Sequence, residues 1–80
     1  MSKRINVFLN GEEYRRLLEE TGIETNTEFA KRIGISRVHL VQVLSRSKSV
    51  GMDMARRLYE EFSVEFPSDP LYEVEDKDLI

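Results

Sequence analysis

Eighty residues with no cysteine make one small domain that neither disulfides nor thiolate metal sites can reinforce. No apolar run approaches the ~20 residues that span a bilayer, and the N-terminus lacks a signal-peptide h-region, so a cytoplasmic protein with no membrane partner is expected. The formal charge of −3 would argue against nucleic acid if it were evenly spread, but residues 31–57 carry Lys31, Arg32, Arg37, Arg46, Lys48, Arg56 and Arg57 against Asp53 alone, and residues 58–80 carry eight acids against Lys77.

Residues 4–9 alternate, with Ile5, Val7 and Leu9 on one face and Asn6 and Phe8 on the other, which predicts a short strand. A lone strand must pair, either with the C-terminal segment or with the same strand of a second subunit. Asn10 is a natural N-cap, with Glu13 placed to reach back as in a capping box. Helix 1 follows over 11–21, with Tyr14, Leu17 and Leu18 on its apolar stripe and Gly22 closing it.

The next stretch organises the chain. Phe29, Ala30 and Ile33 share one face of a helix over 26–33, opened by Thr25 or Asn26, and Leu40 and Val43 share one face of a second helix over 36–45. Between them Gly34 can take the left-handed conformation that ends a helix, and Ser36 is a strong N-cap for the next. Small Ala30 permits a close, steep crossing. This pattern is a helix-turn-helix. Residues 45–49 are polar and basic and read as a loop. Helix 4 runs over 52–62, burying Ala55, Leu58, Tyr59 and Phe62.

Residues 63–80 form an acidic tail with two readings. Ser68-Asp69-Pro70 can open a short helix, or residues 71–74 can be a strand partnering residues 4–9, with 75–78 frayed.

The string from Thr25, TNTEFAKRIGISRVHLVQVL, resembles the lambda-repressor/Cro (XRE-type) helix-turn-helix family, and the resemblance extends to Leu58. It implies a mainly α fold, a four- or five-helix lambda-repressor-like domain with a short N-terminal β-strand, as a single domain over 1–80. It also implies a DNA-binding transcriptional regulator of the small phage-type repressor kind, acting on double-stranded DNA as a homodimer with no cofactor. After Val43 the family commonly has an acidic residue and then, two positions on, a glycine; here Leu44, Ser45 and Arg46 stand instead.

The first turns of the second helix of such a motif meet base edges in the major groove. From an N-cap at Ser36 the outward positions are Arg37, Val38, Val41 and Gln42. Arginine can fork onto guanine, glutamine can bridge adenine, and valine can touch a thymine methyl. Phosphate donors are expected at Asn26, Ser36, His39, Ser45, Arg46 and Lys48, Asn26 standing where the family usually has a glutamine. His39 has no Cys, Asp or Glu at ligand spacing, so no metal site is expected, and no catalytic constellation or small-molecule substrate site is read. Two alternatives compete: a ribbon-helix-helix protein reading DNA through Arg4, Asn6 and Phe8, and a protein-interaction module of the anti-repressor or antitoxin kind that uses the acidic segment.

Overall fold

The computed structural model describes residues 2–79, with the side chains of residues 6–75. Four helices are set by local signals: α1 is Gly11–Thr21, α2 Asn26–Ile33, α3 Arg37–Leu44 and α4 Met52–Phe62. Asn10, Thr25 and Ser36 each accept a backbone N–H through the side chain, from Glu13, Glu28 and His39 respectively. Such a cap is worth about 1 kcal/mol to a helix. The capping box at Asn10 is only half formed. Glu13 pairs with Arg16 at 3.3 Å instead of reaching back, because the Asn10 amide N–H is taken by the Leu71 carbonyl at 2.8 Å.

The chain end departs most from expectation. It is not a loose tail, and residues 68–72 do not open a fifth helix. Strand β1, Ser2–Leu9, pairs antiparallel with β2, Tyr72–Leu79, in the register Leu9 to Tyr72, Val7 to Val74 and Ser2 to Leu79. Residues 76–78 continue this ladder rather than leaving it. Asp69 caps a turn instead of a helix: its carboxylate accepts from Leu71 N–H at 2.9 Å and its carbonyl from Tyr72 N–H at 2.9 Å. The fold is thus mainly helical with one small two-stranded sheet.

The helices and the sheet share one core. Phe29 lies at its centre, edge-on to Tyr14 at 5.0 Å and stacked on Phe62 at 5.3 Å. Leu40, Val43, Met54 and Leu58 are fully buried around it, and Leu9, Leu71 and Tyr72 bring in the near end of the ribbon, whereas Tyr59, expected on the buried face of α4, is exposed, and Met54 takes the inward position instead. Each large apolar side chain withdrawn in this way contributes about 1.5–3 kcal/mol. The ribbon, each strand about 26 Å long at the ordinary strand rise, lengthens a molecule that measures 44 × 23 × 21 Å. No helix among the described residues is long and apolar enough to cross a membrane.

Two positions fix how α3 is held. Gly34 has φ +79°, and its amide donates to Lys31 O at 3.2 Å, so α2 closes in one left-handed residue. Arg57 from α4 lies over this corner, and its guanidinium donates to the Ile33 carbonyl at 3.2 Å. At the other end of α3, Arg46 adopts φ +66°, a left-handed geometry that ordinarily favours glycine. Ser47 and Lys48 then both donate to the Gln42 carbonyl, at 2.9 and 3.2 Å, wrapping the loop around the helix end. Val50 N–H meets the Val7 carbonyl at 2.7 Å, which ties that loop to the outer edge of β1.

Candidate nucleic-acid interface

The α3 helix has two unlike faces, although both are apolar in part. Leu40 and Val43 are completely buried, whereas Val38 is 62% exposed and Val41 38% exposed. Arg37 is exposed beside Val38, and Gln42 is half-buried beside Val41. The four residues assigned to base reading from sequence therefore lie on one face, with two methyl-bearing side chains between a guanidinium and a carboxamide. Burial of Val38 or Val41 against α1 or the chain end does not occur. Chemically this surface offers one forked cation, one bidentate amide and an apolar strip, the three kinds of contact that base edges accept in the major groove.

The flanking donors are less available than their sequence positions suggest. The Ser36 hydroxyl caps α3 by accepting from His39 N–H at 3.0 Å. Ser45 donates its hydroxyl to the Gln42 carbonyl at 3.1 Å and lies 3.0 Å from the Ser47 hydroxyl. Tyr14 donates to Asn26 Oδ1 at 2.7 Å, which uses the acceptor of that amide and orients its Nδ2 donor at the start of α2. Burial pushes the Tyr14 phenol up to about 12, so it remains a proton donor to Asn26 at neutral pH.

Arg46 is the most strongly committed residue of the set. Its guanidinium pairs with Glu73 and, at 3.8 Å, with Glu75, and stacks over the Phe8 ring at 4.9 Å. Register explains this cluster. Phe8 lies opposite Glu73 and Asn6 opposite Glu75, so all four share one face of the ribbon, and the loop after α3 lays Arg46 across it. Sequence reading missed this, since the pairing of residues 63 or more apart has no local signature. The same juxtaposition forms an open depression of about 430 Å³ between Asn6, Phe8 and residues 46–49.

The apparent basic centre shrinks accordingly. Arg32 pairs with Glu61 at 3.0 Å, and Asp53 holds both Arg56 at 3.0 Å and Arg57 at 2.9 Å. The Arg57 and then the Arg56 guanidinium hold the Asp53 carboxyl below its usual range. Lys31, Arg37 and Lys48 have no carboxylate partner among the described residues. Arg37 and Lys48 bracket α3, and His39 stands half-buried between them in sequence.

The ribbon alternative requires β1 to pair with a second copy and to turn Phe8 outward. Instead β1 pairs with β2 of its own chain, and Phe8 is 9% exposed beneath Arg46. A scan against protein-family models and searches of curated proteins and of solved structures find no match to this chain. The α3 surface has to be read from its own geometry.

Proposed function

We propose that this chain is a sequence-specific regulator that binds double-stranded DNA by laying α3 in the major groove, as a helix-turn-helix protein of the repressor type, in the cytoplasm. The observation that carries this reading is the exposed pair Val38 and Val41 on a helix whose Leu40 and Val43 are fully buried and whose Leu44 is partly buried against the core. Valine on the solvent side of a short helix gains nothing for the fold, and flanked by Arg37 and Gln42 it suits thymine methyls. Lys48, His39 and the Asn26 amide supply phosphate contacts from the groove walls. One helix reads only a few base pairs, so two copies on a two-fold site, half-sites about 34 Å apart, are needed for useful specificity.

Fluorescence anisotropy on mixed-sequence duplex DNA, titrated with salt, tests the reading, followed by selection of the best site. Expected is binding with a negative slope of log K on log salt of about 0.9 per phosphate neutralised. In Arg37→Ala, Gln42→Ala the preference for the selected site drops by about 1–3 kcal/mol per lost base contact. A double variant that keeps full affinity for that site rules the assignment out. A second reading, a protein-interaction module, is favoured by the neutralisation of Arg46 through Glu73 and Glu75. It becomes the leading reading if the protein ignores duplex DNA at low salt.

A further inference from the structure

The ribbon has two edges, and the chain ties down only one of them. On β1 the Val7 carbonyl is turned outward and accepts from Val50 N–H at 2.7 Å. In an antiparallel ladder, opposite residues alternate between pairs that exchange both hydrogen bonds and pairs whose N–H and C=O groups all point away. Val7 opposite Val74 is therefore a pair of the second kind, and Phe8 opposite Glu73 and Asn6 opposite Glu75 are pairs of the first. Two further bonds fit this phase: Asn10 N–H donates to Leu71 O at 2.8 Å, and Tyr72 N–H turns away to Asp69 O at 2.9 Å. Both backbone groups of Val74 thus point out along the far edge of β2, and neither meets a backbone partner among the described residues. The alternation repeats this at Asp76 and Asp78.

We infer that this edge of β2 receives an extended segment of another protein as a third, antiparallel strand, and that the segment carries a basic residue on either side of an apolar one. In such edge pairing the main chain supplies affinity and alternate side chains supply selectivity. Val74, 49% exposed, shares a face of the ribbon with buried Val7 and Tyr72, so an apolar residue opposite it extends an existing apolar row. The two neighbours of that residue fall on the other face, beside Glu73 and Glu75. There two carboxylates share the single guanidinium of Arg46, which leaves one negative charge over. Lysine or arginine suits both places.

Neither a bulge nor a proline blunts this edge: the register runs unbroken from Leu9 opposite Tyr72 to Ser2 opposite Leu79. What guards it is charge, with Glu73, Glu75, Asp76 and Asp78 against Lys77 alone. A second copy of β2 laid along the edge sets acid against acid, which is destabilising. The row that repels its own copy attracts a basic strand.

Amide hydrogen exchange on the full chain tests the edge first: Val74 N–H should exchange fast while Glu73 and Glu75 N–H, turned into the ladder, exchange slowly. The probe is a short end-capped peptide in which lysine and valine alternate. At saturation it is expected to slow Val74 exchange at least about tenfold, with an affinity that falls as salt is added. Backbone N-methylation separates strand pairing from mere charge attraction, because it leaves the peptide's charge unchanged. In the antiparallel arrangement the valine amides point at β2 and the lysine amides away. Methylating the valines should therefore weaken binding at least about tenfold, and methylating the lysines less than about threefold. Val74→Pro removes the outward N–H without touching a bond to β1, and should abolish binding in a protein whose amide spectrum shows the fold retained. No binding, equal weakening by the two methylated peptides, a larger loss on methylating the lysines, or a Val74 amide already protected in the free protein overturns the inference. No step involves α3 or DNA, so this proposal and the DNA reading fail separately.

Discussion

Replacing Glu73 and Glu75 with glutamine removes the two carboxylates that hold Arg46 while keeping the shape of the ribbon face. All three side chains are about 40% exposed, at 43% for Arg46, 43% for Glu73 and 40% for Glu75. Ion pairs of that exposure contribute at most about 1 kcal/mol each, so the variant loses at most about 4–8 °C per pair in thermal midpoint for a domain of this size. DNA binding should respond in the opposite direction. A released Arg46, just beyond the end of α3, neutralises one more phosphate, which steepens the slope of log K on log salt by about 0.9. The net gain from one charge-assisted contact is about 1 kcal/mol, roughly fivefold in affinity. Anisotropy titrations across a salt series read both quantities, and the same pair of substitutions in an Arg46→Ala background provides the control. In that background only the loss of two repelling charges remains, and the extra slope disappears. An unchanged slope in the glutamine variant, or an equal steepening without Arg46, would refute the role given to this residue. Deleting residues 68–80 is no substitute for this experiment, because Leu71 and Tyr72 are core residues.

Gly34→Ala forces a β-carbon onto a residue at φ +79°, at a point 2.5 Å from the Arg57 guanidinium. The backbone term alone costs about 1–2 kcal/mol, and urea unfolding should show a lower midpoint with the same slope; an unshifted midpoint would mean that the corner tolerates another geometry. The two core tyrosines should behave oppositely. Tyr72 Oη is buried without a hydrogen-bond partner among the described residues, so Tyr72→Phe is neutral or stabilising by up to about 1 kcal/mol, whereas Tyr14→Phe loses the bond to Asn26 and costs about as much. Both phenols are pushed from 10.0 up to about 12, chiefly by burial. A raised folded-state value contributes stability that is complete below pH 10.0 and is lost as pH rises toward 12. Thermal midpoints should fall over that alkaline interval, and the double Phe variant should flatten the fall. Asp53 behaves in the reverse sense: held below 3.8 by Arg57 and Arg56, it stabilises the fold above that value and ceases to as pH drops through its lowered one. Asp53→Asn should remove this part of the acid loss, and an unchanged acid limb in calorimetry would show that the two ion pairs contribute nothing.

What the sequence determined by itself was whatever depends on neighbours three or four residues away. The caps at Asn10, Thr25 and Ser36 and the left-handed closures at Gly22 and Gly34 are local bargains between a side chain or a missing Cβ and the nearest backbone groups, and the helices begin and end where these residues stand. The outward set on α3 was legible for the same reason, since burial of Leu40 and Val43 fixes which way Val38 and Val41 point. The chain end could not be read in this way. Residues 71–74 satisfy a helix start and a strand about equally well, and the choice came from pairing with β1, where eight backbone partners and the burial of Tyr72 outweigh any local preference. That pairing also decided which basic residues remain free. A count of charges along the chain cannot reveal that Glu73 and Glu75 lie opposite Phe8 and Asn6, because the register of an antiparallel ribbon places residues far apart in sequence on one face. Sequence set the helices and the face of α3; tertiary pairing decided that Arg46 is held by the ribbon while Arg37 and Lys48 are not, since Coulomb attraction follows distance in space rather than along the chain.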